Sequence, residues 1–183
     1  QSRNKEGQDK FKNIILSRNM NAVVIDMKDD YGYLRYHTED PLVQEKGKES
    51  DYAIKDLNAF IDDYKKNGIY MIARIVTFKD KVLSRYAGGK YAVWDGKTNR
   101  AWMGEKGMED VLDEEGNPTG QQKMAYYDEY WVDPFSEEVW EYNITIAKEL
   151  ISRGFDEIQF DYIRFPTDGK NLYNARYRWQ NKG

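Results

Sequence analysis

A chain of 183 residues, 40% of them apolar, is long enough to bury a core and is near the usual size of one domain. Its net charge of −4 leaves no excess of Lys or Arg to neutralise phosphates, which argues against a general nucleic-acid or membrane-surface binder, and a cysteine count of 0 excludes disulfides, thiol catalysis and Cys-ligated zinc. No apolar run approaches the roughly 18 residues that a membrane span needs, and Gln1-Ser2-Arg3-Asn4-Lys5 has no signal-peptide core behind it.

Phe11, Ile14 and Ile15 recur at helical spacing, and Asn19-Met20-Asn21 interrupts that pattern before a buried strand over Ala22 to Met27. The strand runs into Asp26-Met27-Lys28-Asp29-Asp30. Asp26 in this crowd of acids points to ligand binding, whereas Asp29 and Asp30 fit sugar hydroxyls and a backbone-capping turn before Gly32 equally well. Lys28 to Tyr52 reads as a long connection. Ile54, Leu57, Ile61 and Tyr64 then form a helical stripe, Asn67-Gly68 caps it, and Ile69 to Thr77 follows as a second strand. Arg74 interrupts that strand, where an unpaired cation costs on the order of several kcal/mol. Its expected partner is a strand-end carboxylate, Asp26 or Asp161. Asp80, just beyond, is explained as well by a solvated helix N-terminus as by a site.

The stretch from Tyr86 to Trp131 reads as an insertion, with turns at Ala87-Gly88-Gly89-Lys90 and Glu115-Gly116-Asn117-Pro118 and a candidate extra strand at Tyr91 to Trp94. Trp94, Trp102, Tyr126, Tyr127, Tyr130 and Trp131 predict a structured lid with small hairpins, because flexible linkers lack such rings. With 15 Tyr and 5 Trp, the chain suits ligands that have apolar faces and hydroxyl edges, as sugars do, although such rings also serve ordinary packing.

Ser136 with Glu137 and Glu138 predicts the start of a third helix whose buried face is Trp140, Ile144, Ala147 and Ile151; Arg153-Gly154 ends it. A third strand spans Glu157 to Ile163 and delivers Asp161, followed by Arg164 and Phe165-Pro166. A carboxylate at the mouth of a buried strand can be held rigidly and partly desolvated, which is how an acid, base or nucleophile is tuned. A structural Asp161–Arg164 ion pair closing the sheet end is the competing explanation.

Helices alternating with near-continuously apolar strands require a parallel sheet covered by helices, so the fold class is α/β. The long loops follow the C-terminal ends of strands, where barrel and doubly wound enzymes keep their sites. His37 is the only histidine, which removes His-based triads and multi-His metal sites from consideration. No G-x-x-x-x-G-K or G-x-G-x-x-G loop supports a nucleotide, no loop signature supports a Mg²⁺ or Ca²⁺ site at Asp26, Asp29 and Asp30, and no cofactor or metal is expected.

Asn21 to Asp30, Ile72-Ala73-Arg74-Ile75-Val76, Trp131-Val132-Asp133-Pro134 with Val139-Trp140, and Gly154 to Pro166, in that order, resemble a glycoside-hydrolase-like domain family related to the α-amylase superfamily of TIM barrels. The resemblance implies a partial (β/α)8 barrel over 1–183, roughly strands two to four, with the insertion at about 86–131. Strand one would lie before Gln1 and strands five to eight after Gly183. It implies a carbohydrate substrate, hydrolysis of an O-glycosyl bond, and Asp161 as the nucleophile at the end of the fourth strand. Asp26, Asp29, Arg74 and Arg164 would bind substrate, and Trp94, Trp102 and Trp131 would stack on sugars. The chain departs from the α-amylase pattern at Gln159, where an arginine commonly precedes the nucleophile by two residues, and the general acid would come from a later strand. Two other functions stay open: a non-catalytic glycan-binding module on the same scaffold, and a folding unit whose strand edges are covered by a second copy or by the missing half of the barrel. The expected location is extracellular or at the cell envelope.

Overall fold

The computed structural model describes residues 5–180. Helix α1 (Lys5–Ser17) turns only Ile15 fully into the core and leaves Phe11 and Ile14 partly exposed. Strand β1 (Ala22–Lys28) follows, then β2 (Tyr33–Tyr36), α2 (Pro41–Lys46) and β3 (Lys48–Ile54). Helix α3 (Leu57–Lys66) leads to β4 (Tyr70–Val76), and the short α4 (Lys81–Arg85) opens the insertion. Within the insertion lie β5 (Trp94–Asp95), β6 (Arg100–Ala101) and a hairpin of β7 (Glu105–Leu112) and β8 (Pro118–Tyr126). Helix α5 (Glu137–Arg153), β9 (Glu157–Asp161) and β10 (Ala175–Arg176) complete the order.

The main sheet runs β3-β2-β1-β4-β9. Strands β1, β4 and β9 are parallel and adjacent, joined through α3 and α5, so the molecule is a mixed α/β fold with repeating βα units. The sheet stays open, and no closed barrel forms among the described residues. Register places Asp26 opposite Arg74, Arg74 opposite Gln159 and Val76 opposite Asp161, so the charges cluster at the C-terminal ends of the three strands.

The connection expected over Lys28 to Tyr52 is structured. Strand β2 pairs antiparallel with the end of β1, and β3 pairs parallel with β2. Its helix carries a legible start signal: Asp40 accepts hydrogen bonds from the backbone N–H groups of Leu42 and Val43, with Pro41 in the first turn. Ile54, expected on the helical stripe, ends β3 instead, because Asp56 caps α3 by accepting from the Ala59 N–H at 2.9 Å.

The expected buried face of α5 is also corrected. Trp140, Ile144 and Ile151 are 44%, 45% and 45% exposed, while Val139, Tyr142, Asn143, Ile146 and Leu150 are buried beside Ala147. The helix carries two apolar stripes, and periodicity alone does not choose between them. The stripe containing Asn143 wins because that amide has polar partners beneath the sheet ends. Ser136 makes no side-chain cap; its hydroxyl is buried without a partner.

In the insertion, the strand expected over Tyr91 to Trp94 is reduced to Trp94–Asp95, which belongs to a small separate sheet of order β10-β5-β6. Tyr91, Trp102 and Trp131 are buried and root the insertion in the core, from which the largely exposed β7–β8 hairpin projects. The segment after β9 folds back: β10 pairs with β5, and the Trp179 N–H donates to Asp133.

Candidate active site

Arg74 sits at the centre of the strand ends. Its Nε donates to Asp161 Oδ2 at 2.8 Å, Nη1 to Asp26 Oδ1 at 2.7 Å and Nη2 to Asp30 Oδ1 at 3.3 Å. Each strand therefore contributes one member, β1 giving Asp26, β4 giving Arg74 and β9 giving Asp161, and the β1–β2 turn adds Asp30. The arginine side chain is 19% exposed, against 53%, 45% and 39% for Asp26, Asp30 and Asp161. Three carboxylates on one guanidinium leave a formal excess of two negative charges on a surface that solvent reaches. A scaffold ion pair gains nothing from that excess; a hydroxyl-rich ligand would donate hydrogen bonds to it.

Partial burial by itself would pull the Arg74 guanidinium down, but its hydrogen bonds to Asp26 and Asp161 outweigh that and hold it above its ordinary value. Asp161 responds in the opposite sense. The Arg74 hydrogen bond lowers its carboxyl below the usual range, partial burial opposes this, and the Tyr162 N–H, donating to Oδ1 at 2.7 Å, lowers it further. Asp161 is accordingly held ionised and oriented through both oxygens. Tyr162, immediately after it, has φ +52°, a left-handed conformation that is costly for a bulky side chain and that fixes how the chain leaves the carboxylate.

Strict alternation along β1 would place Lys28 beside Asp26 in this cluster. A β-bulge prevents it: Asp26 pairs with Arg74 but Lys28 pairs with Ile75, which turns Lys28 to the opposite face. There its Nζ lies 2.7 Å from Asp80 Oδ2, with both side chains at 0% exposure, and donates to the Val76 carbonyl at 2.7 Å and Asn143 Oδ1 at 3.0 Å. Asp80 Oδ1 in turn caps α4 through the Leu83 N–H. Asp80 is therefore neither solvated nor part of the site; it locks the strand ends from behind.

The other expected ligand residues separate. Asp29 is 14% exposed, accepts from the N–H groups of Tyr31 and Tyr33, and pairs with Arg35 at 3.1 Å, so it shapes the turn and Asp30 is the one that reaches Arg74. Trp102 and Trp131 are 2% and 1% exposed and offer no stacking platform, a correction that follows from their role in rooting the insertion. Trp94 is half-buried and covered on one face by the Arg178 guanidinium at 3.9 Å from its centroid. Arg164 does not pair with Asp161; it lies over Trp131 and Tyr162. Sequence reasoning passed over Lys79, which pairs with Glu129 at 3.3 Å and lies 5.0 Å from the Tyr162 ring centroid, and it left Asp30 undecided. Among the described residues no group of three or more His, Cys, Asp or Glu is arranged to hold a metal ion, and no helix is long and apolar enough to cross a membrane.

A family model described as "Putative glycosyl hydrolase domain" matches residues 1–183. The chain belongs to that family. Among solved structures, it is similar to a hypothetical protein from Ruminiclostridium thermocellum, with 30% identity and a TM-score of 0.73 over 99% of this chain and 80% of that one. It is also similar in fold to α-L-fucosidase isoenzyme 2 from Paenibacillus thiaminolyticus (14% identity, TM-score 0.55, 88% of this chain) and to the GH31 dextranase of Flavobacterium johnsoniae (11% identity, TM-score 0.54, 97% of this chain). The chain spans only 21% and 20% of those two enzymes. At under 25% identity, these two likenesses show a shared fold alone. No curated protein matches the chain.

Proposed function

We propose that the chain supplies strands two to four of a (β/α) barrel in a glycoside hydrolase, as β1, β4 and β9, and that Asp161 is its nucleophile. The observation that carries this reading is the coupling of Asp161 to Arg74 at 2.8 Å, which keeps the carboxylate ionised at the C-terminal end of a parallel strand. The α-amylase pattern places an arginine two residues before the nucleophile, where this chain has Gln159. Here Arg74, opposite Gln159 on the neighbouring strand, provides the guanidinium instead.

In this mechanism an Asp161 oxygen attacks the anomeric carbon of the bound sugar, forming a glycosyl ester as the bond to the leaving oxygen breaks. A second carboxyl group, which the resemblance assigns to a later strand, donates its proton to that leaving oxygen and then takes a proton from the water that cleaves the ester. Asp26 and Asp30 accept hydrogen bonds from sugar hydroxyls, and Arg74 keeps them apart from Asp161.

The test is glycan hydrolysis by the full-length protein, followed as release of reducing ends. Asp161→Asn should lower kcat on the order of 10³-fold or more while glycan affinity persists. An unchanged rate removes Asp161 as nucleophile. Binding without turnover in the unsubstituted protein favours a glycan-binding module.

A further inference from the structure

Arg74 and Arg164 border the same carboxylate in opposite states of satisfaction. All three nitrogens of Arg74 are engaged by Asp161, Asp26 and Asp30. Arg164, on the loop leaving β9, uses Nη1 alone, donating to the Phe165 carbonyl at 3.2 Å and Thr167 Oγ1 at 3.0 Å. Among the described residues its Nε and Nη2 have no hydrogen-bond acceptor and its charge has no carboxylate within ion-pair distance, and the residue is exposed. The guanidinium is nevertheless held in place, 4.8 Å from the Trp131 ring centroid and 5.3 Å from that of Tyr162. Its positive charge contributes to the lowering of Asp161, so it lies within electrostatic reach of the site.

A guanidinium fixed on aromatic rings with its Nε/Nη2 edge free is preorganised for a bidentate carboxylate. The surplus negative charge around Arg74 repels an anionic unit seated directly on Asp161, which leaves the neighbouring position, on the Arg164 side, as the place where such a unit is tolerated. Resting on the hydrolase reading above, we propose that the substrate is an acidic glycan and that Arg164 receives the carboxylate of a uronic-acid unit next to the bond held at Asp161. Stacking on Trp131 and Tyr162 could serve packing alone, and the experiment separates the two roles.

The probe is a mixed glucose–glucuronic acid oligosaccharide compared with its carboxyl-reduced form, titrated calorimetrically into the full-length protein at low salt. The expected result is at least about tenfold tighter binding of the carboxylated form, a preference abolished by Arg164→Gln and only partly kept by Arg164→Lys, which retains the charge but loses the fork. Equal affinity for the two forms, or a preference that survives Arg164→Gln, overturns the assignment and leaves the hydrolase reading standing. A sulfated neutral oligosaccharide that binds as tightly as the uronate overturns the choice of carboxylate. Failure of the full-length protein to bind or cleave any glycan, neutral ones included, overturns both readings together.

Discussion

Two charged centres sit on opposite faces of the same strand ends. Lys28 and Asp80 are wholly buried; the cation is matched one to one and its remaining N–H bonds go to Val76 and Asn143. Arg74 is surrounded by three half-exposed carboxylates that it cannot fully neutralise. Complete burial with matched partners marks a structural lock, because a surplus charge there would be intolerable. Partial exposure with surplus acid fits the ligand-binding role proposed for this centre. The contrast separates scaffold from site where residue type does not, since both centres consist of one cation and aspartates.

The sharpest way to break this comparison is to remove the cation from the buried centre. Lys28→Met should destabilise the fold by about 3–5 kcal/mol by leaving Asp80 buried and unpaired, measured by urea denaturation. The same substitution combined with Asp80→Asn should cost less than the sum of the single changes, and strict additivity would contradict the lock. Gly32→Ala strikes the same centre from outside. Gly32 has φ +84°, and a Cβ there would lie 1.9 Å from Asp80 Oδ1, so a loss of about 1–3 kcal/mol is expected from the backbone alone, with more if Asp80 is displaced. Asp29→Ala should cost about 1 kcal/mol through the lost turn bonds and leave glycan affinity unchanged, and a fall in affinity would return Asp29 to the site.

The smallest stability effect belongs to the exposed centre, where Arg74→Gln should change unfolding free energy by less than about 1 kcal/mol. Its signature lies instead in titration. With Arg74 present, the Asp161 carboxyl is depressed in the folded state, so the stability it contributes is fully present above its unfolded value and is lost as pH falls through the depressed folded value. Removing Arg74 should raise the Asp161 pKa, followed by NMR, and shrink that acid-side loss. An Asp161 titration unmoved by Arg74→Gln would separate the two residues energetically despite their contact.

Much of this arrangement is legible in the sequence for a physical reason. An arginine within Ile72-Ala73-Arg74-Ile75-Val76 demands partners, and the strand-end acids Asp26 and Asp161 are what the parallel topology supplies. Local choices were hidden because they depend on tertiary context. Asp29 and Asp30 are chemically identical neighbours, and only the path of the turn decides which caps backbone and which meets Arg74. Helix α5 offers two apolar stripes, and the buried one is the stripe that carries Asn143, whose amide meets Lys28. Trp102 and Trp131 look like sugar platforms in composition, yet an insertion projecting a two-stranded hairpin needs large buried side chains at its root. Strands β2 and β3 lack the apolar runs that announce β1, β4 and β9.

The bulge between Asp26 and Lys28 also bears on how relatives of this chain should be aligned. Straightening the bulge with Met27 retained would carry the lysine around to the Arg74 face and strip Asp80 of its counter-charge in one step, whereas deleting Met27 would leave the lysine opposite Ile75, on its present face. A relative that keeps all three residues but lacks the bulge would thus set a base beside the acid at the mouth of the sheet, so homologues are best registered here on backbone pairing before their side chains are compared.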